Sequence, residues 1–286
     1  MKLLNSFKKA AALLLSAALV FSFTACGSDT ATEQNPDAQI MGRLSLSAID
    51  EAEYNEMAQS SPAIQNAMPN ISIVFFNSFN EMQMALTSGK IDFMRIGSTT
   101  GSWMSAQNPS FVTSNPEYKL VWEYSMLTME ENKELCDRIS AAISEMREDG
   151  TLKDIVATHI DGMLNGGEPD SIEIPVIEGA DTITVAVTGD LPPMDYLDVD
   201  GNPAGFNAAI LAEISKRLNL NIETISIESG ARAAALSSGK ADVVFWSASV
   251  AGGSDVEFES DIDVPNGTII TTPYFSEEDI TVTYSE

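Results

Sequence analysis

The chain has 286 residues, with 15 Lys+Arg against 42 Asp+Glu for a formal net charge of −27, and only 2 Cys and 1 His. That acidity repels phosphate backbones and excludes a nucleic-acid partner, while Cys26, Cys136 and His159 provide neither a disulfide scaffold nor the ligand set of a zinc site. With 44% hydrophobic and 7% aromatic residues the chain has enough apolar side chain to bury a core, and its length suits two domains.

Lys2, Lys8 and Lys9 open the chain, and Ala10 to Phe21 is an apolar run interrupted by one Ser. This run is shorter than the roughly 20 apolar residues that a membrane-spanning helix needs, so residues 1–25 read as an export signal. No later stretch is long and apolar enough to span a bilayer. Phe23-Thr24-Ala25-Cys26-Gly27 resembles a bacterial lipobox, which implies that Cys26 takes a lipid and becomes the new N-terminus. The alternative is a secretory signal in which Cys26 is incidental. Residues 26–40 then form a polar tether.

In the first block the patterns predict a strand over Ile71–Phe76, a helix over Phe79–Ser88, a strand over Ile91–Ile96 and a long helix over Glu130–Glu148. The apolar face of that last helix is Leu135, Ile139, Ala142, Ile143 and Met146. Cys136 lies within it and reads as a small buried residue. His159 reads as an ordinary surface or helix-end residue, and any Ser-His or Cys-His hydrolase would have to use it. Asp161 to Asp181, with four Gly and two Pro, reads as a linker. Beyond it, Ile183–Val187 is a strand and Asn207–Leu218 a helix capped by Asn207. A strand over Ile222–Ile227, a helix over Arg232–Ser238 and a strand over Ala241–Trp246 come next. This is a βαβαβ series, the pattern of a parallel sheet. The two blocks echo each other: Met84-Ala85-Leu86-Thr87-Ser88-Gly89-Lys90-Ile91-Asp92 matches Ala234-Ala235-Leu236-Ser237-Ser238-Gly239-Lys240-Ala241-Asp242, each a helix end, a Gly cap and the start of a strand. Two related lobes of this kind enclose a cleft at the carboxyl ends of their strands.

The second block resembles the extracellular solute-binding proteins of family 3. The resemblance lies in Ile183–Val187, then Leu191-Pro192-Pro193-Met194-Asp195-Tyr196, Gly205-Phe206-Asn207, Ser238–Asp242 and Thr272-Pro273-Tyr274-Phe275, in that order. It implies an α/β fold with two lobes of the periplasmic-binding-protein type (type II), parallel-type sheets and a hinge cleft. It also implies capture of an amino-acid-like solute for an ATP-binding-cassette (ABC) permease. The block order is unusual. Tyr124–Leu127, the helix Glu130–Glu148 and Asp149–Ile155 resemble the family's C-terminal segment, and Met41–Leu46 the strand that opens its lobe 2. This points to a circular permutation, with 41–120 as lobe 2, 121–160 as the closing segment of lobe 1, 161–181 as the linker and 182–286 as the main part of lobe 1. A damaged tandem duplication is the alternative.

A carboxylate ligand calls for a cation with paired N–H donors, and Arg presents them bidentately. Arg232, in Ser229-Gly230-Ala231-Arg232, is the candidate, with Ser247 and Ser249 as hydroxyl donors; the plain alternative is a surface ion pair with Glu228. The family's second Arg, after the hydroxyl loop, is missing between Ala251 and Ser260, and Gly97 stands where lobe 2 commonly has an Asp for the amine. Either Asp190 or Asp195 replaces that Asp, or the ligand is not an ordinary α-amino acid. Ser98, Thr99 and Thr100 could donate from lobe 2, or simply cap a helix. Trp246 and Trp103 could sandwich a ligand group, or pack in the core. The expectation is therefore a monomeric, lipid-anchored protein on the extracytoplasmic face of the cell membrane. It binds a small polar or carboxylate solute, needs no cofactor or metal and catalyses nothing. A sensor or interaction lipoprotein, or a secreted enzyme built on this fold, are the other readings.

Overall fold

The computed structural model describes residues 38–167, 171–256, 258 and 262–285, so Cys26, the signal and most of the tether lie outside the described residues. In chain order the elements are β1 (Gln39–Leu44), α1 (Glu51–Ser60), α2 (Pro62–Ala67), β2 (Ile71–Phe76), α3 (Phe79–Thr87), β3 (Phe93–Gly97), α4 (Ser98–Gln107) and β4 (Phe111–Ser114). Next come β5 (Val121–Met129), α5 (Lys133–Glu148), α6 (Thr151–Val156) and α7 (Gly162–Leu164), with a π-helical turn at Ala157–Asp161. The second half holds β6 (Thr182–Val187), β7 (Asp190–Leu191), β8 (Asp195–Leu197), β9 (Pro203–Ala204), α8 (Phe206–Leu218) and β10 (Asn221–Ser226). It ends with α9 (Arg232–Ser237), β11 (Val243–Val250), β12 (Thr268–Ile270) and β13 (Phe275–Tyr284).

The longer strands make two sheets of the same design, one to each lobe with its helices, and β7, β8 and β9 form a small antiparallel sheet of their own. In lobe 2 the order is β2-β1-β3-β13-β4, with β1 parallel to β2 and β3, and β13 antiparallel to β3 and β4. In lobe 1 it is β10-β6-β11-β5-β12, with β6 parallel to β10 and β11, and β5 antiparallel to β11 and β12. The last strand differs from the sequence expectation, which assigns it to lobe 1. Phe275–Glu278 pairs with β5, and from Asp279 onward β13 is inserted between β3 and β4 of lobe 2. One strand thus carries the backbone of both sheets, and the α/β fold is two-lobed around a cleft.

The internal echo has a concrete basis. Asp92 donates its N–H to Ile40 O at 2.9 Å and its carboxylate accepts from Ile40 N–H at 2.7 Å; Asp242 does the same with Thr184 at 2.9 and 2.7 Å. Each aspartate locks the first parallel strand of its sheet to the third. Gly89 and Gly239, at φ 70° and 68°, end the preceding helices in the left-handed conformation that glycine adopts without steric cost.

Helix α5 buries Cys136, Ile139, Ala142, Ile143 and Met146 and packs on α8, β5 and β12, so its apolar stripe lies on lobe 1. Burial of one such aliphatic side chain stabilises by about 1.5–3 kcal/mol. Arg217 on α8 ties the two helices by bonding Glu213 at 3.1 Å, Asp149 at 2.7 Å and Thr151 at 3.0 Å. Asn207 is not the cap of α8. It is fully buried in the first turn, Gly205 precedes the helix at φ 90°, and the N–H groups of Phe206 and Asn207 donate to Pro193 O and Met194 O. The Pro-Pro loop caps this helix through its carbonyls.

Candidate functional site

The cleft narrows to a cavity of about 50 Å³ walled by both lobes. Arg43 from β1 and Arg95 from β3 face it from lobe 2, and Arg232 and Trp246 from lobe 1, with Tyr124 and Asp279 on the connecting strands. A larger depression near Ala48 and Asn266 opens to solvent, and Asp255 is the one charged residue of its lining among the described residues.

Arg232 opens α9 and is 3% exposed, so it is a buried residue and its partner is not Glu228. Its Nε donates to Ser229 O at 2.8 Å, Nη1 to Trp246 O at 2.7 Å and Nη2 to Ser45 O of lobe 2 at 2.7 Å. The remaining donors point at Asp263, with Nη1 to Oδ2 at 3.3 Å and Nη2 to Oδ1 at 3.5 Å. All five guanidinium N–H groups are engaged inside the protein. Removing Arg232 would therefore disturb folding as well as any ligand.

The strand after α9 explains the wall beside it. The sequence places a loop after Trp246, but β11 runs on to Val250, and Trp246 sits at φ 118° where the pairing with β5 shifts register. The shift re-aims the residues from Ser247 onward. Ser247 Oγ donates to Asp263 O at 3.0 Å and Ala248 N–H to Asp263 Oδ2 at 2.9 Å, while Ser249 pairs with Glu123 and does not line the cavity. The Trp246 ring lies 4.6 Å from that of Tyr124, and its indole N–H is buried without a hydrogen-bond partner among the described residues. Trp103 packs at the margin of the lobe 2 core and does not line the cavity. Ser229 contributes its main chain, its N–H donating to Asn77 O across the cleft at 2.8 Å.

In lobe 2, Ser98 and Thr99 open α4 and hold a carboxylate, that of Glu277. Thr99 N–H donates to its Oε2 at 2.7 Å and Ser98 Oγ at 3.2 Å, the helix N-terminus favouring the negative charge. Thr100 is buried in the same turn. Gly97 is what lets Glu277 approach, because a Cβ at that position would collide with the carboxylate. Burial raises the Glu277 pKa above the ordinary range, and the bonds from Thr99, Ser98 and Tyr124 only partly offset it. Asp190 and Asp195 lie outside the cavity wall. Asp190 accepts from Asn80 N–H at 3.2 Å at the start of α3, spanning the lobes, and burial raises its pKa. Asp195 is buried and accepts from Thr188 N–H at 3.0 Å, Thr188 Oγ1 at 3.2 Å and Gly189 N–H at 3.3 Å; burial pushes its pKa up to about 6.

Arg43 and Arg95 are cavity residues that sequence reasoning misses. Arg95 pairs with Asp279 at 2.9 Å and lies 4.5 Å from the Tyr118 ring, while its Nε and Nη1 have no hydrogen-bond partner among the described residues. Arg43 stacks 4.1 Å from the Tyr54 ring. Burial raises the Asp279 pKa, an effect that Arg95 and Arg43 oppose. The signal in the sequence was an Arg inside the apolar run Phe93-Met94-Arg95-Ile96, since a charge in a buried strand needs partners. Among the described residues no cluster of His, Cys, Asp and Glu could hold a metal ion.

The segment that builds β6 to β11, with its Pro-Pro loop, its helix and its bulged strand, decides the family likeness. Residues 183–252 match the bacterial extracellular solute-binding proteins, family 3. The family 3 segment thus covers the wall of lobe 1 and includes Arg232, Trp246 and Ser247, whereas Asp263 lies beyond it. No curated protein matches the chain. Among solved structures, the ligand-binding component of an ABC-type import system from Staphylococcus aureus, with zinc bound, is 11% identical, with 86% of this chain and 66% of that one covered and a TM-score of 0.39. The alkanesulfonate-binding protein SsuA from Xanthomonas axonopodis pv. citri, bound to MOPS, is 12% identical, with 86% and 65% covered and a TM-score of 0.41. The methionine-binding protein MetQ is 12% identical, with 88% and 84% covered and a TM-score of 0.40. The chain thus spans about two thirds of the first of these structures. Among the described residues no helix is long and apolar enough to cross a membrane.

Proposed function

We propose that this chain is an extracytoplasmic solute-binding protein of an ABC importer, anchored through lipid on Cys26, monomeric and without a catalytic step. The observation that carries the reading is the cleft: two like sheets joined by β5 and β13 enclose a cavity faced by three guanidinium groups. A hinge across these strands gives an open and a shut state, and a solute touching both lobes favours the shut one. The solute is small and carries a carboxylate, as an amino acid does. Arg95, whose Nε and Nη1 have no partner among the described residues, and Arg43 beside it supply the positive charge, and Trp246 with Ser229 forms the opposite wall. Block order supports a circular permutation, because the family 3 segment starts midway along a chain whose lobe 2 strands come first.

A thermal-shift screen of the full chain against amino acids, small carboxylates and short peptides tests this reading. A saturable rise with at least one amino-acid-like anion is expected. A second reading has its own support, since Asp263 and Glu277 already engage the donors of both lobes. In that reading the protein is a sensor or interaction lipoprotein that no longer transports, and a flat screen with a well-folded chain would favour it. The anchor is tested separately: Cys26→Ala should leave the chain unprocessed or release it from membranes, and unchanged lipid labelling would overturn that part.

A further inference from the structure

Arg232 is surrounded as a receptor side chain is around its ligand, but the partner belongs to the same chain. Asp263, wholly buried on the connection between β11 and β12, presents a carboxylate to four donors. Two are the Nη groups of Arg232 and one is the Ala248 N–H of lobe 1. The fourth is the Ser47 N–H, from the loop after β1 in lobe 2. A guanidinium fork with main-chain N–H groups is the surrounding that suits a small carboxylate, and here it is assembled from both sides of the cleft. An ion pair that served lobe 1 alone would need no donor from lobe 2.

We propose that Asp263 is a tethered ligand: it fills an anion subsite at Arg232, closes that subsite to free carboxylates and so determines which solutes the cleft accepts. The consequence for solutes rests on the solute-binding reading above, whereas the occupancy of the subsite does not. Tethering gives the carboxylate an effective concentration in the millimolar range or above and removes most of the entropic cost of association, so a weakly held free carboxylate cannot compete.

The test is to cut the tether and offer the missing piece. Asp263→Ala removes a group the size of formate, and Asp263→Gly one the size of acetate. Melting of the full-length variants is followed against formate and acetate, with chloride at matched ionic strength as the reference. D263A should be stabilised by formate and D263G by acetate, with a rise of about 3–5 °C at ten times the half-saturating concentration. The response should vanish when Arg232→Met is added, and the parent and Asp263→Asn, whose sites remain filled, should respond as they do to chloride. Folded D263A and D263G that gain nothing over chloride, or a parent that gains as much as D263A, would overturn the proposal. If the variants do not fold unaided, refolding yield is read instead: recovery specific to formate or acetate supports it, and yields equal to chloride overturn it. A parent that binds no solute while D263A takes formate would remove the transport reading and leave this one standing. A parent that binds a solute while neither variant is rescued would do the reverse.

Discussion

In lobe 2 the strand β3 stops at Gly97 and α4 begins at once, whereas in lobe 1 the matching strand β11 passes Ser247 and continues, bulged at Trp246, to Val250. Both positions lie at the cleft, and both hold a carboxylate of the chain itself. Lobe 2 holds Glu277 with the N–H and hydroxyl groups of a helix N-terminus, at the cost of having no side chain at residue 97. Lobe 1 holds Asp263 with a guanidinium and a strand N–H. The same backbone plan therefore accepts two different anion-binding devices, and the choice between them is made at the carboxyl end of the third parallel strand, by a helix start in one lobe and a continued strand in the other.

The comparison breaks most visibly at Arg232. Arg232→Ala leaves Asp263 buried without its cation and should lower stability by about 3–5 kcal/mol in urea denaturation; a loss below 1 kcal/mol would mean that the strand and loop N–H groups suffice, as the helix terminus does in lobe 2. Asp195 comes next, because no cation pairs with it among the described residues. Its folded pKa of about 6 lies above the ordinary value near 3.8. The stability it contributes is thus fully present below pH 4 and is lost as pH rises through 6, a change of about 2–3 kcal/mol between pH 4 and 7. Asp195→Asn should flatten that part of the stability profile relative to the parent; an unchanged slope would assign it to Glu277 and Asp279, whose pKa values burial also raises. Gly97→Ala drives a methyl group into Glu277 and should cost about 1–3 kcal/mol, against about 1 kcal/mol for Ser247→Ala, which loses one hydrogen bond to Asp263 O. Equal losses would erase the distinction between the two devices. The smallest effects should also be the most alike: Gly89→Ala and Gly239→Ala each place a side chain at φ near +70° with open space around it, for about 1 kcal/mol apiece by melting.

Periodicity and local chemistry made the elements legible. The strand Ile71–Phe76 occupies the range its pattern predicts, the stripe on α5 faces a core, and the repeated Ser-Gly-Lys-x-Asp marks two aspartates with one task. The site was less legible because its partners are distant along the chain. Glu277 reaches Thr99 and Asp263 reaches Ser47 across most of the sequence, and no local pattern encodes such a meeting. Gly97 carried part of the message: a glycine where an acid was expected signals that something else needs the space. Asn207 misled because Asn commonly caps helices, yet at Phe206–Leu218 the carbonyls of the preceding loop already meet the first N–H groups and the side chain is sealed in the core.

The insertion of Asp279–Tyr284 between β3 and β4 bears on how the molecule is made. Strands β1 to β4 are synthesised well before the strand that joins β3 to β4, about 160 residues further along the chain. Until it arrives, each of these strands exposes an unpaired edge, and the lobe produced first is the lobe completed last. Contacts this distant in sequence form slowly. A chaperone would therefore find its clearest target in the waiting edges of β3 and β4, and truncation within β13 should leave the early half of the chain prone to aggregate even though none of its own residues has changed.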